Sequence, residues 1–259
     1  MDIKVLCLDI DGTLMMDGKL FSQVKETIIE LRKRYKVVFV SNTTSILHED
    51  LSKELVQNGI EHDRKDLYTP VTVAEYVMKK REHDKGMLIA PENIKKDLLW
   101  FKEDESGNTL FVAHECLDLL IGDLQKYFRF LLDENTFFYT LQKNRYYKKN
   151  GEFVFDMGPV VALLEYASGK KAKILGKPGE QLFDSICDRF SVKRENLLMV
   201  GDDVEFDILL SQKIGVRGCL VKTGKYIESV YKKVIEDHSY YPDLEIDDFK
   251  SIKDILLTK

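Results

Sequence analysis

A run of apolar residues near the amino terminus ends in two carboxylates, and this feature constrains the fold most. Residues 5–8 (VLCL) are long enough for a short strand that is buried on both faces, as in a parallel sheet covered by helices. Asp9 and Asp11 follow at once, with Gly12 after them. In open α/β sheets, ligands bind outside the carboxyl ends of the strands. We therefore expect both carboxylates at that edge, where they suit an oxygen-bound metal ion and a carboxylate nucleophile.

The segments that follow alternate between helix and strand patterns. Val24, Ile28 and Leu31 recur at the spacing of one helix face. Ser22 is the expected N-cap of that helix. Further apolar runs predict buried strands at residues 37–40, 197–200 and 219–221. This alternation predicts an α/β fold: a Rossmann-like parallel sheet with right-handed crossover connections and helices on both faces.

The character of the chain changes from about residue 80 onward. The helical patterns become shorter, and the composition is richer in Lys, Glu and Asn. The dipeptide at 150–151 (NG) is a strong hairpin signal between the aromatic segments 146–147 and 153–155. We predict that residues 81–170 form a separate inserted domain of mixed α/β character. Residues 1–80 and 171–259 would then form one core domain.

Charge and cysteine content exclude several classes of protein. The formal net charge of −5 arises from well-mixed signs, so the chain has no basic footprint for nucleic acid. No apolar run approaches the length of a membrane-spanning helix, and residues 1–4 lead into a strand rather than a signal peptide. The four cysteines show no CxxC spacing, which argues against a zinc site or a disulfide framework. A reducing cytoplasm is the expected location.

Polar residues follow directly after three of the predicted strands. They are Asp9, Asp11, Ser41, Asn42, Asp202, Asp203 and Asp207. Parallel strands place their carboxyl ends on one edge, so these groups should converge. Several carboxylates in one crevice repel each other, and a hard divalent cation such as Mg²⁺ offsets that repulsion. With Lys177 in a Gly-Lys-Pro turn, such a site suits a phosphoryl group.

Four short motifs resemble, in order, those of the haloacid dehalogenase superfamily. They are residues 9–14 (DIDGTL), 41–43 (SNT), 176–178 (GKP) and 201–207 (GDDVEFD). The predicted insertion lies between the second and third motifs, where one branch of that superfamily carries a large α/β cap. Residues 158–167 and 220–226 also resemble members of the superfamily. Within the latter stretch, Thr223–Tyr226 is not a P-loop, because the upstream glycine is missing and Tyr226 follows Lys225.

The resemblance implies a role for each motif residue. Asp9 would attack phosphorus to give an aspartyl-phosphate, and Asp11 would act as general acid and then as general base. The implied phosphate-binding residues are Gly12, Ser41, Asn42 and Lys177. The implied Mg²⁺ ligands are Asp9, the backbone carbonyl of Asp11, and Asp202, with Asp207 or Asp203 acting through water.

A basic and aromatic cluster lies within the predicted cap. It comprises Lys143, Arg145, Tyr146, Tyr147, Lys148 and Lys149. One interpretation is a solvated hairpin with half-buried tyrosines. The other is a loop over the active site that selects the substrate, with Arg145 as the residue that meets an anion.

The expected activity is that of a Mg²⁺-dependent phosphatase. Its substrate would be a small phosphorylated molecule, because a large cap would block bulky partners; phosphoamides and pyrophosphate remain open. The resemblance also implies a possible homodimer formed through the cap. Two alternatives stay open: a phosphotransferase that passes the phosphoryl group to another acceptor, and a non-catalytic binding protein that retains the fold.

Overall fold

The computed structural model describes residues 2–44, 46–114, 119–149, 152–176 and 179–257. Its strands are β1 Val5–Asp9, β2 Met15–Met16, β3 Lys19–Leu20, β4 Lys36–Val40, β5 Leu67–Tyr68, β6 Lys85–Ile89, β7 Lys102–Glu103, β8 Thr109–Val112, β9 Phe137–Thr140, β10 Tyr146–Lys149, β11 Glu152–Phe155, β12 Lys173–Ile174, β13 Leu197–Gly201, β14 Arg217–Val221 and β15 Leu244–Ile246.

All the helices but the last lie between these strands along the chain. They are α1 Val24–Leu31, α2 His48–Gln57, α3 Pro70–Lys80, α4 Ile121–Leu131, α5 Met157–Ser168, α6 Glu180–Phe190, α7 Leu210–Lys213, α8 Glu228–His238 and α9 Ile252–Leu256. Single 3₁₀ turns occupy Arg64–Asp66, Lys95–Leu98, Arg194–Asn196 and Phe249–Ser251, and a π-helical turn occupies Val204–Leu209. Among the described residues, no helix combines the length and apolar character that a membrane crossing needs.

The chain divides into two compact units. The first comprises Met1–Ser41, Glu49–Tyr68 and Phe183–Lys259, and the second comprises Asn42–His48 and Thr69–Leu182. The predicted insertion, residues 81–170, lies within the second unit.

The first unit contains a six-stranded parallel sheet with strand order β15-β14-β13-β1-β4-β5. All five side chains of β1 are buried, because this strand has a neighbour on each side and lies in the interior of the sheet. The parallel α/β core predicted from the alternating pattern is confirmed.

Strand register brings the carboxyl ends of three neighbouring strands together. Asp9 pairs with Val40, so Ser41 continues β4 beside the end of β1. On the other side, Leu8 pairs with Val200, so Gly201 and the acidic residues after it continue β13 beside Asp9. Residues separated by almost 200 positions in the sequence therefore meet at one edge of the sheet.

The second unit has its own five-stranded parallel sheet, with strand order β12-β9-β8-β6-β7. The hairpin predicted around residues 150–151 is present as the antiparallel pair β10 and β11, in which Tyr146 pairs with Phe155. Its turn residues lie outside the described part of the chain. Ile174 pairs with Thr140, which places β12 in this sheet.

One helix start differs from its prediction. Helix α1 follows Gln23, which has a left-handed backbone (φ 61°) and makes no side-chain capping bond. The expectation that Ser22 caps this helix is therefore wrong. The helix therefore begins at a left-handed residue, without a side chain that accepts a hydrogen bond from its first amides.

Candidate active site

Three buried carboxylates meet at the carboxyl edge of the core sheet. Asp9 ends β1, Asp202 follows β13, and Asp207 lies in the π-helical turn. One oxygen from each lies within 4.8 Å of the others. Asp202 is only 1% exposed, and the other two are also buried. Clustered oxygen donors of this kind match the preferences of a hard divalent cation.

A tight turn after β1 holds the first of these carboxylates. The carbonyl of Ile10 accepts bonds from the amides of Leu14 (2.9 Å) and Met15 (3.1 Å). This fold-back directs the buried Thr13 hydroxyl toward Asp9 Oδ2, to which it donates at 3.1 Å. The same hydroxyl lies 3.4 Å from Asp202 Oδ1. Thr13 therefore lies between the two carboxylates and favours the shorter bond, to Asp9.

Two glycines make room for the acidic side chains. Gly12 has φ +85°, and a Cβ on it would lie 2.8 Å from Asp202 Cγ. A Cβ on Gly201 would lie 2.6 Å from Asp207 Cγ. At both positions a larger residue would displace a carboxylate of the cluster.

The segment after Asp202 begins as a π-helical turn. The Asp203 carbonyl accepts from the amides of Asp207 (2.9 Å) and Ile208 (3.3 Å). The Asp203 carboxylate caps the turn through the amides of Glu205 and Phe206. Of the two alternatives left open by the sequence, Asp207 lies in the carboxylate cluster and Asp203 caps the turn.

Burial of the cluster disfavours its negative charge. Loss of solvent raises the pKa of Asp202, and the neighbouring charge of Asp207 raises it further. The backbone amide of Lys225, which donates to Asp202 Oδ2 at 2.6 Å, opposes both effects. A bound divalent cation would offset the remaining repulsion, so this donor set fits Mg²⁺.

Comparisons with known proteins agree with these motifs. A family model described as haloacid dehalogenase-like hydrolase matches residues 6–99, and a HAD-hydrolase-like model matches residues 174–251. Human haloacid dehalogenase-like hydrolase domain-containing protein 2 is 30% identical over 234 residues, which cover 90% of this chain and 89% of that protein. This chain belongs to the haloacid dehalogenase-like hydrolases.

Two further similarities extend over most of the chain. Bovine phospholysine phosphohistidine inorganic pyrophosphate phosphatase is 27% identical over 230 residues, covering 86% of this chain and 84% of that one. The structure of a p-nitrophenyl phosphatase from Archaeoglobus fulgidus superposes with a TM-score of 0.85 at 19% identity, covering 99% of this chain and 100% of that one. This structural likeness shows the shared fold, and the family assignment makes the chain a HAD-like hydrolase.

The other predicted site residues of this HAD-like hydrolase are placed as follows. Asp11 is exposed in the turn after β1. Ser41 is buried and its amide donates to the carbonyl of Tyr68 at 2.9 Å. Asn42 is exposed and belongs to the second unit. Arg145 is also exposed in the second unit, with its guanidinium 6.0 Å from the ring centroid of Tyr146. Lys177 lies outside the described residues.

Several residues beside the cluster were given no role from the sequence. Thr13 lies within the motif at residues 9–14 and Gly201 within the motif at residues 201–207, so the sequence did indicate both segments. Thr223, Gly224 and Lys225 lie in the stretch 220–226, which resembles members of the superfamily, but the sequence does not indicate that this stretch contacts Asp202. Only the packing of β14 against β13 brings them to this edge.

Proposed function

We propose that this HAD-like hydrolase is a Mg²⁺-dependent phosphatase that forms an aspartyl-phosphate on Asp9. The observation that carries the proposal is the convergence of Asp9, Asp202 and Asp207 as buried carboxylates at the carboxyl edge of the parallel sheet. Such a cluster is unfavourable without a counter-ion, because its negative charges repel one another. A metal ion that also binds the phosphoryl group would offset this repulsion.

Asp9 is the nucleophile in this mechanism. Its carboxylate oxygen attacks phosphorus, the bond from phosphorus to the leaving oxygen breaks, and Asp11 donates a proton to that oxygen. Asp11, now ionised, takes a proton from water as the water oxygen attacks the same phosphorus. Inorganic phosphate leaves, and Asp9 is regenerated. The exposure of Asp11 lets it exchange protons with substrate and water, whereas the Thr13 hydroxyl holds Asp9 in place.

The remaining residues bind the metal and the phosphate. The residues that would hold Mg²⁺ are Asp9, Asp11 through its backbone carbonyl, Asp202 and Asp207. The chemistry gained from the bound ion is Lewis-acid stabilisation of the phosphoryl charge. Gly12, Ser41, Asn42 and Lys177 are the proposed phosphate-binding residues.

The proposed substrate is a small phosphorylated molecule, and the likeness to a phospholysine phosphohistidine inorganic pyrophosphate phosphatase extends the candidates to phosphoamides and pyrophosphate. We assign residues 81–170 the role of a cap. Arg145 is the residue proposed to recognise an anionic group of the substrate, because its planar guanidinium suits carboxylates and phosphates. Assembly as a homodimer through the cap and a cytoplasmic location belong to the same proposal.

Hydrolysis of p-nitrophenyl phosphate with and without Mg²⁺ tests the activity. The wild type should turn over only with the metal, and Asp9→Asn should lose at least about a thousandfold in kcat/KM, since the nucleophile is removed. Asp17→Asn is a matched control: Asp17 is exposed with φ 50°, a conformation that asparagine tolerates. It should retain full activity.

Three results would contradict the proposal. Activity that survives in Asp9→Asn would reject the nucleophile. A wild type with no turnover on this ester or on a panel of phosphorylated metabolites would favour the non-catalytic binding protein. Phosphorylated product formed mainly on an added alcohol acceptor would identify a phosphotransferase instead.

A further inference from the structure

The turn that follows β14 contacts both acidic segments of the proposed metal site. This segment, Thr223–Lys225, is named here the β14 turn. Its Thr223 hydroxyl donates to the backbone carbonyl of Gly12. Its Lys225 backbone amide donates to Asp202 Oδ2 at 2.6 Å. One three-residue turn therefore bonds to the Asp11–Gly12 turn and to Asp202.

Glycine is required where the β14 turn meets the Gly12 turn. Gly224 has φ +53°, and a Cβ on it would lie 2.5 Å from Gly12 Cα and 2.8 Å from the Gly12 carbonyl oxygen. Gly12 itself has φ +85°. The two backbones approach each other closely, and Asp202 Oδ2 is the atom nearest to the Cβ position of each glycine. The Gly12 oxygen can reach the Thr223 hydroxyl because of this close approach.

The bond from Lys225 comes from the backbone and not from the ammonium group. The Lys225 side chain is 71% exposed and lies 3.8 Å from Asp203 Oδ2, outside the carboxylate cluster. The amide, in contrast, occupies Oδ2 of a carboxylate that is almost fully buried. A hydrogen bond from a fixed amide to a carboxylate is both strong and directional, so it sets the orientation of Asp202.

We propose that the β14 turn is a positioning segment for the Mg²⁺ site: it orients Asp202 through the Lys225 amide and fixes the Asp11–Gly12 turn through Thr223. The inference rests on the proposed function, because it assigns these residues an effect on the binding of Mg²⁺. None of the three residues touches the reacting atoms. They act through Asp202 and Gly12, as outer groups that orient ligands do in other metal sites.

The test compares Thr223→Val with Thr223→Ser. Valine is close in shape to threonine but has no hydroxyl, whereas serine keeps it. Binding of Mg²⁺ to the full chain, without substrate, is measured by isothermal titration calorimetry. We expect Thr223→Val to weaken binding by about ten- to a hundredfold and Thr223→Ser to stay within about twofold of wild type. The Mg²⁺ concentration for half-maximal p-nitrophenyl phosphate hydrolysis should rise in parallel.

Two further variants extend the test beyond Thr223. Gly224→Ala forces a Cβ against Asp202 Oδ2 and the Gly12 backbone, and should weaken Mg²⁺ binding at least as much as Thr223→Val. Lys222→Met removes a neighbouring cation that pairs with Glu245 at 3.1 Å, outside the β14 turn, and should bind Mg²⁺ like the wild type. Circular dichroism checks that each variant is folded. If Thr223→Val does not fold, Thr223→Ala replaces it with the same expectation.

The outcomes separate this inference from the proposed function. If the wild type binds Mg²⁺ and hydrolyses the ester but Thr223→Val and Gly224→Ala bind Mg²⁺ equally well, the inference alone is overturned. Equal weakening in Thr223→Val and Thr223→Ser also overturns it, because the hydroxyl would then be irrelevant. A wild type that neither binds Mg²⁺ nor hydrolyses any phosphate ester overturns both.

Discussion

Glu165 is a buried acid of the second unit whose charge is balanced by two lysines. Its side chain is 6% exposed; one oxygen accepts from Lys143, with Lys171 at 3.6 Å, and the other accepts from the Ala172 amide at 3.0 Å. Burial by itself would raise the pKa of Glu165, but the bonds from Lys143 and the Ala172 amide outweigh burial and lower it. The carboxylate is therefore more stable ionised in the folded protein than in the unfolded chain.

Glu165→Gln should lower the free energy of unfolding by about 1–2 kcal/mol at pH 7, since charge-assisted bonds are lost but the lysines remain in reach of water. A carboxyl group with a lowered folded-state pKa stabilises the protein above its ordinary pKa, about 4.3, and this contribution disappears as the pH falls through the folded-state value. The difference between wild type and variant should therefore narrow below about pH 4.3.

Urea titrations at pH 7 and at pH 3.5–4 measure this difference. Lys171→Met is the control within the cluster: Lys171 is 83% exposed, so its loss should cost no more than about 0.5 kcal/mol. A Glu165→Gln defect of the same size at both pH values would show that the residue acts through packing and not through charge.

At the scale of secondary structure, a buried hydrogen-bond network connects the segment after β4 to helix α5. Gln142 Nε2 donates to Thr44 Oγ1 at 3.0 Å and to both carboxylate oxygens of Asp156 at 3.3 Å. Asp156 is also the N-cap of α5, since its Oδ1 accepts from the Met157 amide at 2.7 Å. One carboxylate thus begins a helix and anchors the side chain that reaches Thr44.

Asp156→Ala should cost about 2–4 kcal/mol of unfolding free energy, because it removes an N-cap and the charged acceptor of the buried Gln142 amide, which keeps only its bond to Thr44. Asp156→Asn keeps an oxygen for the cap and should cost less than half as much. The urea midpoint, compared at unchanged slope, measures both. Equal losses in the two variants would contradict a role for the side-chain oxygen.

The apolar pattern of the sequence identifies some local features of the structure and misses others. Helix α1 and strands β1, β4, β13 and β14 agree with the apolar spacing in the sequence, since burial on one or both faces requires apolar residues at regular positions. The π-helical turn at Val204–Leu209 is not identified in this way. It is formed by the bond from the Ile208 amide to the Asp203 carbonyl, five residues back, and apolar periodicity does not report that geometry.

At the scale of the whole molecule, the carboxylate cluster lies entirely within the first unit. A ligand that binds the folded state and not the unfolded chain stabilises the structure that holds it, by about 2.7 kcal/mol at a concentration of 100 times its Kd. Mg²⁺ should therefore slow amide exchange most strongly in that unit.

Hydrogen exchange measured with and without Mg²⁺ tests this expectation. Peptides that cover β1 with the Gly12 turn, and β13 with the π-helical turn, should gain protection, whereas peptides from β8 and β9 of the second unit should not. Asp202→Asn should remove the gain. Protection that rises equally in both units, or only in the second, would place the metal elsewhere.

Recognition of the family, the α/β class and the acidic residues of the candidate site required only the sequence. Strands buried on both faces need uninterrupted apolar runs, and polar residues mark where those runs end. Both features can therefore be identified from the sequence. The sequence did not indicate whether Asp203 or Asp207 lies near Asp9, because both occur in one motif. Only the π-helical turn distinguishes their positions.

The tertiary structure alone decided which residues support the cluster. Thr223 and Gly224 lie more than 200 positions from Gly12, and their contact exists because β14 packs beside β13, which packs beside β1. Strand order and register are set by the packing of the whole sheet. Apolar periodicity within one segment records that a strand is buried, but it does not record which strand lies next to it.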